Sequence, residues 1–307
     1  MSKALVFSGQ GSQYVGMLRD ICEKYPLADT LVEKANDILG YELSKIMFEG
    51  PIDLLKETRY TQPAIYLHSS IICSLIKDKL DFSFTAGHSV GEYAALFASG
   101  VIAFEDGLKL VAKRGELMFT AGLDKPGTMF AIINLEDEKV ERICNDLTDI
   151  EKDNIVVPAN YNSPGQIVVS GSADYLRNNI GAFKEAGARL VKELIVSGAF
   201  HSPLLNSAKE ELRIIINSTK FNNTKTPIIS NVYAAPLTNS DEIKNALIQQ
   251  LTSPVKWTQS ILKMKNLGIN EFTEIGPGNV LQGLIKRTIT DIKINGIDKS
   301  EDLENYK

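Results

Sequence analysis

Short apolar runs alternate with longer amphipathic stretches along this chain, and glycine or proline marks most of the junctions. Ala4-Leu5-Val6-Phe7 reads as a buried first strand that runs into Ser8-Gly9-Gln10-Gly11-Ser12-Gln13. Two glycines directly after a strand imply a tight turn where backbone N–H groups can face a ligand. Helical spacing predicts helices over 15–40 and 63–80, the second opening on Gln62-Pro63. A short strand over 84–86 meets Gly87-His88-Ser89-Val90-Gly91, then a helix over 92–99 closed by Gly100. Another helix is expected over 105–120. Strands alternating with helices predict an α/β fold with a largely parallel sheet.

The rhythm changes after residue 123. Strands are expected over 128–135, 155–161, 166–170 and 189–196, with helices over 136–147 and 173–186. Asn162-Ser163-Pro164-Gly165 joins the middle two strands as a strong turn signal. The order is β-α-β-β-α-β, the ferredoxin-like pattern. It predicts a small domain over 124–196 inserted into a larger one made of 1–123 and 197–307. The last part returns to α/β character. Helices are expected over 203–217, 240–251, 255–267 and 279–290, and strands over 227–232 and 271–275.

Composition narrows the class. The chain has 307 residues, 44% hydrophobic and 23% charged, which suits a soluble globular protein with a sizeable core. A formal charge of −5 argues against a general nucleic-acid binder. No run of 18 apolar residues exists, so no membrane span is expected. The opening residues lack the apolar stretch and cleavage site of a leader. Cys22, Cys73 and Cys144 are widely spaced and odd in number, which predicts free thiols in a reducing cytoplasm and neither a metal site nor a disulfide framework. A monomer is expected.

Three residues then stand out chemically. Gly87-His88-Ser89-Val90-Gly91 is a G-x-S-x-G motif between a strand and a helix, a context that exposes the serine hydroxyl on a sharp turn. The helix that follows aims its positive end at the site, and the Val90 N–H can stabilise an oxyanion. A serine nucleophile needs a base, and the chain has three histidines. His68 lies in an apolar helix and reads as a core residue. The His88 side chain should diverge from that of its neighbour Ser89. His201 sits at a strand-to-helix junction, where Ser202 suits the N-cap and Pro203 the first turn. Arg114 interrupts the stripe Val111, Arg114, Gly115 and Met118 at spacings i, i+3, i+4 and i+7. A buried guanidinium needs an anion, either a protein carboxylate or the carboxylate of a ligand.

Ordered motifs along nearly the whole chain resemble the malonyl-CoA:acyl carrier protein transacylases, the acyltransferase family of fatty acid and polyketide synthesis. They are the segment from Phe7 to Gln13, Thr61-Gln62-Pro63-Ala64, the segment from Ala86 to Tyr93, Lys113-Arg114-Gly115-Glu116, and the segment from Tyr161 to Gln166. They continue with Ala199-Phe200-His201-Ser202-Pro203, Gln250-Leu251, Pro254-Val255-Lys256-Trp257 and Glu274-Ile275-Gly276-Pro277-Gly278. The resemblance implies an α/β-hydrolase-like large domain with a ferredoxin-like insertion. It implies Ser89 as nucleophile and His201 as general base and acid, oriented by the backbone carbonyl of Gln250. The N–H groups of Gln10 and Val90 would form the oxyanion hole. Arg114 would grip the malonyl carboxylate, and Gln62, His88 and Asn162 would line the pocket. Phe200 before His201 resembles the malonyl-type signature. Ser8 stands where the family usually has proline.

The reaction implied is two-step malonyl transfer from malonyl-CoA to the phosphopantetheine thiol of an acyl carrier protein, with coenzyme A thioester as substrate and no bound cofactor or metal. A triad hydrolase is the competing enzyme; it would orient its histidine with Asp or Glu. A stand-alone acyltransferase or editing acyl hydrolase serving a polyketide synthase is a second rival, and a binding scaffold that kept the fold is a third. Carrier proteins are usually acidic, so Lys184, Arg189, Lys192, Lys286 and Arg287 are candidates for a docking patch.

Overall fold

The computed structural model describes residues 2–306. Among them, ten strands build two sheets. In chain order they are β1 (Ser2–Phe7), β2 (Phe84–Gly87), β3 (Gly127–Ile133), β4 (Val156–Ser163), β5 (Gln166–Ser172), β6 (Leu190–Glu193), β7 (Ile228–Ile229), β8 (Pro236–Leu237), β9 (Ile269–Ile275) and β10 (Lys293–Ile297). The larger sheet runs β10-β9-β1-β2-β7-β8. Its pairs are parallel except β7 with β8. The smaller sheet runs β4-β5-β3-β6 and is antiparallel throughout.

Side-chain alternation along β1 shows why both faces of the larger sheet are covered. Leu5 and Phe7 point into the core under the helices Thr58–Ile76 and Gly91–Ala98. Ala4 and Val6 point the other way, toward Trp257, Phe272 and Leu281. A strand buried on both faces reads as a continuous apolar run, as β1 does. The smaller sheet has its own core, where Phe130, Ile132 and Val169 meet Val140, Leu176 and Phe183 from the three helices between its strands.

Register aligns the strand ends. Phe7 pairs with Gly87 on one side and with Ile275 on the other. The loops after β1, β2 and β9 therefore emerge together at the carboxyl edge of the parallel sheet, where open α/β sheets bind ligands. The smaller sheet is sutured beside this edge. Tyr161 N–H donates to Val255 O at 2.9 Å and Val255 N–H to Ala159 O at 2.8 Å. The chain crosses between the two sheets at small residues: a Cβ on Gly122 would stand 1.8 Å from the Ser197 carbonyl oxygen.

Several elements differ from expectation. The 15–40 stretch is two helices, Arg19–Lys24 and Pro26–Leu39, because Pro26 starts a new helix after extended Tyr25. Helices Leu43–Glu49 and Ile52–Leu55, too short for periodicity to mark, follow it. The next helix begins at Thr58, with Pro63 inside it. Burial of nearly every residue from Thr61 to Cys73 outweighs one lost hydrogen bond near the helix start. The helix over 173–186 breaks at Ile180, before Gly181. The strand expected over 227–232 keeps two residues, and that over 189–196 keeps four. Strands β8 and β10 were not anticipated. No helix of the described residues is long and apolar enough to cross a membrane. Cys22, Cys73 and Cys144 are free thiols.

Candidate active site

Ser89 stands on the turn between β2 and the helix Gly91–Ala98, in left-handed backbone with φ 52°. The turn closes because its neighbours are glycines. A Cβ on Gly87 would lie 2.0 Å from the Gly91 carbonyl carbon, and one on Gly91 would lie 2.2 Å from the Phe7 oxygen. Asn231 clamps the turn from outside: its Oδ1 accepts from Ser89 N–H at 2.8 Å and its Nδ2 donates to Gly87 O at 2.7 Å.

His201 comes from the segment leading into the short 3-10 turn Pro203–Leu205, and it too has a positive φ, 57°. Ser202 caps that turn by accepting from Leu204 N–H, as its place before Pro203 suggested. The ring is buried. Nε2 lies 2.9 Å from Ser89 Oγ, and Nδ1 lies 2.9 Å from the Gln250 carbonyl oxygen. A carbonyl only accepts, so Nδ1 carries the proton and Nε2 turns its lone pair to the serine hydroxyl. Burial, and then the charge of Arg114, push the imidazole pKa down to about 3. The ring is therefore neutral and able to take a proton.

Arg114 completes the cluster from the helix Phe104–Asp124. It is 1% exposed. One terminal nitrogen donates to Gln62 Oε1 at 2.7 Å; the other donates to Gln250 Oε1 at 2.9 Å and to Ser89 Oγ at 3.0 Å. Its Nε has no hydrogen-bond partner, and the guanidinium lies 5.7 Å from the Tyr93 ring centre. Among the described residues no carboxylate comes within ion-pair distance of it. Of the two anions its burial could answer to, the protein one is therefore missing. Every partner is an uncharged oxygen that a stronger acceptor can displace.

His88 does diverge from Ser89. Its Nε2 lies 2.8 Å from Asn162 Oδ1, and its ring meets Trp257 edge-on at 5.6 Å. Burial lowers its pKa, so the neutral ring donates from Nε2 to the amide oxygen. Asn162 thus reaches the site through His88, and Gln62 reaches it through Arg114. A cavity of about 100 Å³ opens over the serine, lined by Ser89, His201, His88 and Gln10 on one side. Its apolar wall includes Met118, Met129, Leu194, Val196 and Phe200. The Gln10 side chain is held by Thr58, its Nε2 donating to Oγ1 at 3.1 Å. Val90 caps the helix Gly91–Ala98. Lys184, Arg189, Lys192, Lys286 and Arg287 are all exposed. Lys286 and Arg287 share the helix Val280–Thr288, Lys184 lies on the helix Gly181–Glu185, and Arg189 lies just before β6 with Lys192 on it.

Sequence reasoning missed three polar residues here. Asn160 lines the cavity. Asn231 holds the serine turn. Glu92, buried in the helix after Ser89, accepts from Gln250 Nε2 at 2.6 Å and from Asn231 N–H at 3.4 Å. Burial raises its pKa to about 7, against the pull of the Gln250 and Asn231 hydrogen bonds and of Arg114. A carboxylate in the otherwise apolar and small-residue run 90–98 was the available signal for Glu92. Gln250 was expected to act by its backbone alone; its side chain is equally engaged.

The model of the acyl transferase domain family matches residues 4–304, so the chain belongs to the acyl transferases over nearly its whole length. A malonyl CoA-acyl carrier protein transacylase of Staphylococcus aureus (strain MRSA252) is 40% identical over 307 residues, covering 100% of this chain and 99% of that protein. The crystal structure of an acyl carrier protein S-malonyltransferase from Vibrio cholerae superposes with a TM-score of 0.94 at 38% identity, covering 100% of both chains. A malonyl-transacylase, solved in complex with a type II polyketide synthase acyl-carrier protein, matches at TM-score 0.94 and 35% identity, covering 100% of this chain and 99% of its own. Within the acyl transferases, the chain belongs to the malonyl CoA-acyl carrier protein transacylase family.

Proposed function

We propose that the protein moves malonyl from coenzyme A to the phosphopantetheine thiol of an acyl carrier protein through a malonyl ester on Ser89. One observation carries this reading: the Ser89 hydroxyl lies 2.9 Å from His201 Nε2 and 3.0 Å from an Arg114 nitrogen, beside a single cavity. A reactive hydroxyl, a neutral base and an unpaired buried cation suit a thioester that bears a free carboxylate.

His201 Nε2 takes the Ser89 proton as Oγ attacks the thioester carbonyl. The oxyanion is held by the N–H groups of Gln10 and Val90, each contributing roughly 3–4 kcal/mol. The C–S bond breaks, and the imidazolium returns its proton to the departing thiolate. Arg114 turns from Ser89 to the malonyl carboxylate and holds it while coenzyme A leaves. The carrier thiol then gives its proton to His201 and attacks the ester, and the serine leaves reprotonated. The Gln250 carbonyl keeps the Nδ1 proton in place throughout, where a triad hydrolase would use a carboxylate. His88 and Asn162 shape the pocket floor. Every step runs on these side chains and backbone groups, with no bound cofactor.

We read the larger sheet and its helices, 1–123 and 197–307, as an α/β-hydrolase-like domain, and 124–196 as an inserted ferredoxin-like domain. The βαββαβ order and the β4-β5-β3-β6 arrangement support the second assignment. Arg189 and Lys192, on the segment that leads to Leu194 and Val196 at the cavity, are the best-placed cations for an acidic carrier. The three free thiols fit a reducing cytoplasm. Fatty acid and polyketide synthesis both use this step.

Intact-mass measurement after brief exposure to malonyl-CoA tests the reading. One malonyl adduct should appear, map to Ser89, vanish in Ser89→Ala, and pass to a holo carrier protein on mixing. Rapid malonate release with no labelled carrier would reject it in favour of a hydrolase.

A further inference from the structure

Gln250 touches all three reacting arms of the site at once. Its backbone oxygen faces His201 Nδ1, its side-chain oxygen accepts from Arg114, and its side-chain nitrogen donates to Glu92 Oε2 and, at 3.0 Å, to the Ser89 carbonyl oxygen. An amide can point either way. A guanidinium only donates, so Arg114 demands the oxygen. A carboxylate only accepts, so Glu92 demands the nitrogen. Reversing the amide would set two donors against each other at Arg114 and two acceptors against each other at Glu92, both in a buried site where unmatched polar groups are costly.

We infer that Glu92 is a positioning and specificity residue for malonyl: it locks the Gln250 amide and thereby presents Arg114 to the substrate carboxylate without pairing with it. The inference rests on the malonyl-transfer reading above. A carboxylate in direct contact with Arg114 would compete with malonyl for the guanidinium. Placed behind the amide, the Glu92 oxygen fixes the Gln250 amide with its oxygen toward Arg114 and leaves the cation open to substrate. Glu92 also accepts the Asn231 N–H, and Asn231 in turn holds the nucleophile's turn on both sides. Glu92 is 4% exposed, which keeps bulk solvent from competing for the amide.

The test compares kcat/KM for malonyl-CoA and acetyl-CoA with a holo carrier protein. Glu92→Gln, which is nearly isosteric but can face Gln250 with either end, should narrow the malonyl-to-acetyl preference by about tenfold, within the range that coupled neighbours show. The change should fall mainly on the malonyl KM. Gln250→Leu removes the amide but keeps the carbonyl that faces His201. It should narrow the preference too, and adding Glu92→Gln to it should narrow it no further. A general structural role for Glu92 would lower both substrates alike. An unchanged preference in Glu92→Gln, or a further narrowing when it is added to Gln250→Leu, overturns the inference. Glu92→Asp, which withdraws the acceptor by one methylene, serves if Glu92→Gln does not fold: it should narrow the preference in the same direction, and an unchanged ratio there also overturns the inference. A wild-type protein that forms no malonyl-serine would instead reject the reading beneath it.

Discussion

Replacing Arg114 by alanine separates recognition of the acyl group from its transfer. The guanidinium is 1% exposed, bonded to three neutral oxygens and unsatisfied at Nε. A malonyl carboxylate entering this site gives up its water and receives a charge-assisted, fork-shaped partner in return. Without Arg114 that carboxylate is buried unpaired, a loss of about 3–5 kcal/mol for a broken buried pair. The lower end applies if the carboxylate tilts back toward the open side of the cavity. About 3 kcal/mol corresponds to a fall of roughly 150-fold in kcat/KM for malonyl-CoA. Acetyl-CoA has nothing to offer the guanidinium, so its transfer should change by no more than about threefold, and the preference should narrow by some two orders of magnitude. Arg114→Lys should restore little of it, since a point charge on a flexible stem does not reproduce the fork. The assay is malonyl- and acetyl-Ser89 formation followed by intact mass at short times, with a thermal melt to confirm folding. A folded Arg114→Ala protein with wild-type acyl preference would refute the reasoning.

Two further predictions concern groups around this centre. Burial lowers the His201 pKa to about 3 from 6.5, so the folded state binds fewer protons than the unfolded chain between those values. Stability from this group is present above pH 6.5 and is lost as pH falls; His201→Gln should therefore gain roughly 2 kcal/mol on wild type at pH 5 relative to pH 7.5. Urea titrations at both pH values check this, and parallel curves for the two proteins would contradict it. Glu92, raised to about 7 from 4.5, acts in the opposite sense: its stability is present below pH 4.5 and lost as pH rises through 7, and it is common to both proteins. Ser8 donates from Oγ to the buried Glu274 carboxylate at 3.0 Å, and that carboxylate also accepts from the N–H groups of Leu281 and Gln282 at a helix start. Ser8→Ala should cost about 1–2 kcal/mol, because a hydrogen bond to a charged group is lost while two others remain; an unchanged melting temperature would show that the hydroxyl contributes nothing.

Much of the fold was legible because its signals are local. The alternation in 155–170 and the Pro164-Gly165 turn gave β4 and β5, and the apolar run after Lys3 gave β1. What was illegible depends on neighbours far along the chain. Strand β7 is two residues long because only Thr85 and Ala86 pair with Ile228 and Ile229. Strand β10 is an edge whose pairing with β9 a short mixed run such as Lys293-Ile294-Asn295-Gly296-Ile297 does not announce. The same division holds at the site. Ser89, His201 and Arg114 were singled out by residue type and local pattern. Asn231 and Glu92 were not, since an asparagine 142 residues from Ser89 shows its importance only when the fold brings it to the backbone of that turn.

Both side chains proposed to react, those of Ser89 and His201, sit on non-glycine residues with left-handed backbone. Such a conformation costs on the order of 1–3 kcal/mol per residue and persists only where the surroundings over-determine it. The buried polar groups supply that constraint. Asn231 binds the backbone on both sides of His88, at Gly87 O and Ser89 N–H, and Gln250 binds the Ser89 carbonyl and the His201 ring. Glu92 ties Asn231 and Gln250 together. The turn geometry that aims the hydroxyl and the polarity that aims the guanidinium thus depend on the same three side chains, Asn231, Gln250 and Glu92. That shared dependence explains how Ser89, His201 and Arg114, from three separate stretches of chain, are held to hydrogen-bond distances before any substrate arrives.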